Sequence, residues 1–270
     1  MIKLIAIDLD GTLLTDNKTI SDRNKEVLTK AKEQGVKVVI CTGRPLMAIE
    51  AYLNRLELRD AGDYSITFNG GSVQKNDTGE TLSSYSLSSQ QVKEMAEVMT
   101  ALDLPLDVVS VDTCIHLPTS TSRQSEYLGI NPLLKEESMA LDEIDGSRIY
   151  NKMVVAAEPA YLDGQLEQLD SKWHTRYNLM KSRDSLLEII HPEVSKANGI
   201  ALLAKELGIK QSEVMAIGDE ENDVSMIDYA GMGVVMENGN EELKKKAQFI
   251  TKTNEEDGVA YAVEKFVLVD

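Results

Sequence analysis

The chain has 270 residues, 42% of them hydrophobic, which is enough for one large domain or two modest ones with a sizeable core. Its 45 acids against 28 bases give a formal net charge of −17, which opposes a nucleic acid or an acidic membrane surface as partner but still allows a local cationic pocket for one small anion. Only Lys3 and a four-residue apolar run precede the first acid, too little for a signal h-region or a membrane span, so the chain is expected to be cytoplasmic.

In chain order, "KLIAI" (3–7) predicts a strand buried on both faces, and Ser21 predicts the N-cap of a helix that runs to about Gln34 and stops at Gly35. "VKVVICT" (36–42) predicts a second strand, 45–56 a helix, and "YSITF" (64–68) a third strand. Between 83 and 190 the texture changes to longer polar connections, a helix over "SSQQVKEMAEVMTAL" (88–102), and strands at "NKMVVAA" (151–157) and "SLLEII" (185–190). The earlier alternation then returns: a helix near 197–207, the strand "VMAIG" (214–218), a helix over 221–229, "GVVM" (233–236), and helices near 240–247 and 257–266.

Strands alternating with helices at both ends predict one α/β domain, a doubly wound parallel-sheet core of Rossmann-like type, built from 1–82 and 191–270. The stretch 83–190 is expected to be an inserted α+β domain.

Ligands of open α/β sheets bind at the carboxyl ends of the strands. Asp8 and Asp10 follow the first strand, Thr42, Gly43 and Arg44 ("CTGR") the second, and Asp219, Asn222 and Asp223 ("GDEEND") a late one. Lys196 of "HPEVSKANG" stands at the start of the helix after "SLLEII". Carboxylates held together repel unless a cation neutralises them, and hard oxygen ligands without His or Cys select Mg²⁺ over zinc. Asp8 is therefore expected to be an ionised nucleophile for a phosphoryl group, with Thr42, Lys196 and Asn222 holding the phosphoryl oxygens.

In this order, "DLDGT", "TGR", the lysine of "SK" and "GDEEND" resemble the four motifs of the haloacid dehalogenase-like phosphatases. The long insertion after the third strand, with "ITFNGGSVQK" (66–75) and "EEDGVAYAVEKFV" (255–267), is similar to the Cof-type subfamily (IIB) and its sugar-phosphate phosphatases. The resemblance spans the whole chain. It implies that Asp8 is nucleophile and Mg²⁺ ligand, that Asp10 is the general acid/base while its backbone carbonyl ligates the metal, and that Asp219 is the remaining carboxylate on the metal. It further implies that the Leu9 backbone, Thr42, Gly43, Lys196 and Asn222 bind phosphate and that Asp223 acts from behind the metal ligands. The insertion is expected to be a cap that closes over the site. One departure from the family pattern is that Ala197 and Asn198 separate Lys196 from Gly199.

The expected activity is Mg²⁺-dependent hydrolysis of small phosphorylated metabolites, chiefly sugar phosphates, through an aspartyl phosphate on Asp8. A phosphosugar mutase of the same fold and a non-catalytic regulator that binds phosphorylated metabolites share the motifs. Arg44 either pairs within the core or contacts substrate. Asn69, Gly70 and Gly71 form a turn that either serves the chain alone or faces substrate. Cys41 and Cys114 are expected to be core or incidental thiols, and His116, His174 and His191 are expected to make no ligand set.

Overall fold

A computed structural model describes residues 1–118 and 121–268. It divides into two compact units, residues 1–84 with 195–270, and residues 85–194.

The first unit opens with β1 (Leu4–Ile7), α1 (Asp22–Glu33), β2 (Lys37–Cys41), α2 (Glu50–Arg55), β3 (Tyr64–Thr67), β4 (Ser72–Lys75) and β5 (Thr81–Ser84). The second contains α3 (Ser89–Ala101), β6 (Asp107–Ser110), β7 (Thr113–His116), α4 (Tyr127–Ile130), β8 (Lys135–Ser138), β9 (Lys152–Ala156), α5 (Pro159–Leu166), α6 (Lys172–Arg176), β10 (Asn178–Arg183) and β11 (Leu186–Ile190). The chain then completes the first unit with α7 (Lys196–Glu206), β12 (Val214–Gly218), α8 (Val224–Tyr229), β13 (Met232–Val235), α9 (Glu241–Lys244), β14 (Phe249–Ile250) and α10 (Gly258–Phe266).

The first unit's sheet has the order β14-β13-β12-β1-β2-β3-β4-β5. β1 is fully buried and pairs in parallel with β12 on one side and β2 on the other, which is why its sequence is an unbroken apolar run. The strand order reverses around β1, the place where such sheets open a crevice. β3–β4 and β4–β5 are antiparallel, a difference from the all-parallel expectation at this edge. The reason is length: four residues join β3 to β4, and a parallel return needs a crossover of a dozen or more.

Helix starts follow their caps. The Ser21 side chain accepts from Asn24 N, and Ser88 and Gln91 form a reciprocal capping box. The predicted helix over 45–56 is a 3₁₀ turn, Leu46–Ile49, followed by α2, and the one near 240–247 contracts to α9.

The second unit has a sheet of order β10-β11-β9-β6-β7-β8. Alternate residues such as Val108, Ile115, Met153, Val155, Leu187 and Ile189 join the core that includes Val92, Met95 and Met99 of α3. The alternation puts Asp107, Cys114, His116, Lys152 and Glu188 on the opposite face. Among the described residues no helix is long and apolar enough to cross a membrane.

Candidate active site

β1, β2 and β12 are neighbours that end at Ile7, Cys41 and Gly218, so the next residue on each is Asp8, Thr42 or Asp219. Parallel pairing in register thus delivers three polar side chains to one end of the sheet from three distant stretches of chain.

Asp8, Asp219 and Asp223 are all buried, and carboxylate oxygens of the three lie within 4.8 Å of one another. Lys196, the first residue of α7 and wholly buried, donates from Nζ to Asp8 Oδ1 at 2.5 Å and to Asp223 Oδ1 at 2.6 Å. Asp223 Oδ2 accepts from the backbone N–H of Asp219 at 2.9 Å and of Glu220 at 3.1 Å. This tight loop explains why the predicted helix over 221–229 opens as a 3₁₀ turn at Glu221–Asp223 before α8. Thr12 Oγ1 donates to Asp219 Oδ1 at 2.6 Å. Asp8 Oδ2 and Asp219 Oδ2 accept no hydrogen bond from any described residue.

One lysine offsets only part of three clustered negative charges. Burial pushes the Asp8 carboxyl up to about 8 against the lowering influence of Lys196, and it pushes Asp219 up to about 7 against the Thr12 hydrogen bond. Burial also opposes the Lys196 charge, but Asp223 and Asp8 outweigh it and raise the ammonium's pKa. The group is therefore short of about one divalent cation, and its donors are all hard oxygens, the set that suits Mg²⁺. Asp8 and Asp219 have free oxygens for such an ion, whereas both Asp223 oxygens are occupied by protein donors.

The Asp10 side chain stands apart from this group. Its carboxylate takes two bonds from Arg44, Nε to Oδ2 at 2.9 Å and a terminal nitrogen to Oδ1 at 2.6 Å, and a third from Lys18 Nζ at 2.8 Å. Burial works against its charge, yet Arg44 and Lys18 outweigh that and hold its pKa below the usual carboxylate value. Of the two readings of Arg44, pairing within the core is the one the structure displays.

Around Thr42 the backbone is closely tied. Thr42 O accepts from Asn69 N at 2.9 Å, Thr42 Oγ1 accepts from Arg44 N at 3.2 Å, and Asn222 Nδ2 donates to Asn69 Oδ1 at 3.3 Å. The Asn69 side chain also lies over Gly43. The backbone N–H groups of Leu9 and Gly43 donate to no acceptor among the described residues, which leaves both unclaimed by the protein itself.

Two glycines make these approaches possible. Gly11, at φ +85°, has no Cβ where one would collide with the Asp219 carboxylate. Gly70, at φ +96°, lets the turn after β3 meet the Ser195 carbonyl, the residue whose side chain caps α7 and so sets the position of Lys196.

Three contributors were not singled out in the sequence. Thr12 belongs to the quoted "DLDGT", but nothing in that string says that its hydroxyl supports an acid 207 positions later. Asn238 donates to Gly11 O at 2.8 Å and carries no motif signal. Lys18 lies in a polar loop with no periodicity. Cys41 is buried as expected, and burial pushes its thiol up to about 12. β-pairing also brings His116, which the sequence places in no ligand set, beside Asp107 and Cys114, a neighbourhood that residue spacing does not reveal.

A model of the haloacid dehalogenase-like hydrolase family matches residues 5–263. A Streptococcus pyogenes protein named as a phosphatase is 39% identical, with 99% of each chain covered. A Bacillus subtilis protein named as a 5-amino-6-(5-phospho-D-ribitylamino)uracil phosphatase is 31% identical over 98% of each chain. Among solved structures, a haloacid dehalogenase-like hydrolase from Bacteroides thetaiotaomicron is 30% identical with a TM-score of 0.83, covering 98% of this chain and 99% of that one.

Proposed function

From the premise that the chain belongs to the haloacid dehalogenase-like hydrolases and is a phosphatase of that family, we propose that it is a Mg²⁺-dependent phosphomonoesterase acting on small phosphorylated sugars and related polyols. The observation that carries this reading is the buried group of Asp8, Lys196, Asp223 and Asp219, with its cation deficit and its two free carboxylate oxygens. The substrate class is supported by the name of the Bacillus subtilis relative, whose substrate carries its phosphate on a ribityl chain.

Asp8 attacks phosphorus in line, its oxygen forming the new bond as the ester oxygen leaves. Lys196, the Thr42 hydroxyl, Asn222 and the N–H groups of Leu9 and Gly43 hold the phosphoryl oxygens and stabilise the charge spread over them. Asp8, Asp219 and the Asp10 backbone carbonyl would hold Mg²⁺, which would supply Lewis-acid neutralisation of the phosphate charge. Asp10 gives a proton to the leaving oxygen and then takes one from the water that hydrolyses the aspartyl phosphate. For Asp10 to carry that proton its ion pairs with Arg44 and Lys18 have to open, so a cationic grip on Asp10 precedes each turnover. Residues 85–194 select the substrate.

The test is phosphate release from a panel of phosphorylated sugars, polyols and nucleotides ranked by kcat/KM, with Mg²⁺ and with EDTA. Asp8→Asn is expected to lower kcat by a factor on the order of 10³ or more with the fold intact, because an amide is a poor nucleophile. Retained turnover in Asp8→Asn would remove the mechanism, and nucleotides leading the panel would remove the substrate class.

A further inference from the structure

A second group of side chains lies within the 85–194 unit. Strand alternation places Cys114 and His116 on one face of β7, and the antiparallel register sets Asp107 of β6 opposite His116. A carboxylate oxygen of Asp107, the Cys114 sulfur and a ring nitrogen of His116 all lie within 4.8 Å of one another. Cys114 is fully buried and Asp107 is 2% exposed.

Two of the three have an outer partner as well. The Ser125 hydroxyl donates to Asp107 Oδ2, leaving Oδ1 to face His116 Nδ1 at 2.6 Å. On the far side of the ring, Glu136 Oε1 is 3.4 Å from His116 Nε2.

We propose that Asp107, Cys114 and His116 form a binding site for a borderline-soft divalent cation of the zinc class. A sulfur, a nitrogen and an oxygen are the donors such an ion prefers, and they differ in kind from the all-oxygen group at the end of β1. Bonds of about 2.0 to 2.3 Å put the ligand atoms of a tetrahedral ion roughly 3.3 to 3.7 Å apart, so the present spread has only to tighten around the sulfur and the Asp107–His116 contact to open by about 1 Å. Metal-bound histidines almost always give their other N–H to a carboxylate or similar acceptor, and Glu136 stands in that position.

Thiolate and carboxylate together neutralise the two charges of the ion. Burial keeps the Cys114 thiol protonated without a metal, so coordination releases that proton to solvent. The proton that His116 Nδ1 shares with Asp107 passes through solvent to Nε2, where it is held towards Glu136, so the ring stays neutral as Nδ1 turns to the cation. Lys152, on the same face, is paired with Glu188 at 2.9 Å and so presents little free positive charge against the cation. A simple ion pair would account for Asp107 and His116 but not for the convergence of a buried sulfur on them.

The experiment uses the whole protein, stripped with a chelator and titrated with Co²⁺. A thiolate-to-cobalt charge-transfer band saturating at about one equivalent is expected, and Zn²⁺ should displace it. The carboxylates of the first unit contribute no such band. Cys114→Ser should abolish it, Cys41→Ser should leave it, and Glu136→Gln should weaken the affinity by about 10- to 100-fold. Absence of the band in the unaltered protein overturns the proposal without recourse to any variant. Its persistence in Cys114→Ser, or its loss in Cys41→Ser alone, overturns it as well.

Discussion

Taking a lysine wholly out of water costs several kcal/mol unless carboxylates offset it, and Lys196 is enclosed between Asp8 and Asp223. Lys196→Met removes the cation and leaves three buried acids facing one another. Urea unfolding should show a loss of about 3 to 5 kcal/mol, the range for breaking a buried pair from one side, and a loss below about 1 kcal/mol would mean that solvent reaches the group. Asp8 and Asp219 predict a pH dependence in the same place. Their folded-state pKa values, about 8 and about 7, stand above the unfolded value, so their relative stabilisation is complete below about pH 4 and is lost as pH rises through 7 and 8. A cation bound to the ionised forms reverses that loss. The melting-temperature gain on adding Mg²⁺ to EDTA-treated protein should therefore be larger at about pH 8 than at about pH 6, and an equal gain would argue that these acids do not hold the metal. The acids themselves were legible, because each directly follows an apolar run. Their partners were less so, because a hydrogen bond from Thr12 to Asp219 or from Asn238 to Gly11 depends on strands meeting in space and leaves no local pattern.

At the scale of elements, the site depends on where helices begin and strands end. Ser21, Ser88 and Ser195 cap their helices, and side-chain capping of this kind is legible in sequence because the cap directly precedes the periodic run. The 3₁₀ turns at Leu46–Ile49 and Glu221–Asp223 were not legible, since a tighter turn shares the apolar pattern of the helix it opens. The antiparallel edge β3–β4–β5 was hidden for another reason: "SVQK" and "TLSS" are mostly polar, so neither strand carries the continuous apolar run that marks β1. Gly70 joins this edge to the helix that carries Lys196, because its missing Cβ admits the Ser195 carbonyl at the start of α7. Gly70→Ala adds both a clash with fixed backbone and a positive-φ penalty, so it should cost more than about 1 kcal/mol and should lower kcat by displacing Lys196. Gly146→Ala, where an added Cβ meets nothing within 4 Å, is the matched control and should stay within about 0.5 kcal/mol. Equal effects of the two substitutions in thermal melts would show that the close approach at Gly70 does not set the helix.

At the scale of the whole molecule, the apolar clusters respect the boundary between the units. One cluster runs from Leu87 to Ile189 within the second unit, and the other two draw only on residues up to Val73 and from Ile200 onward. Each unit thus has the means to fold alone, since a domain is defined by its own core. The Asp8, Lys196, Asp219 and Asp223 group lies entirely in the first unit, together with its ion-pair and hydrogen-bond partners among the described residues. Joining residue 84 to residue 195 through a short flexible linker should therefore give a folded protein that binds Mg²⁺ with nearly unchanged affinity. Chemistry on a reactive aryl phosphate should persist, because the proposed nucleophile and the groups proposed to hold phosphate remain. Discrimination among phosphorylated sugars should collapse towards a common low kcat/KM, because the residues proposed to select the substrate are gone. Calorimetric titration with Mg²⁺ and the metabolite panel separate these outcomes. A shortened protein that folds but binds no Mg²⁺ would show that the metal site needs residues 85–194, and one that keeps its ranking of sugars would move specificity into the loops that follow β1, β2 and β12.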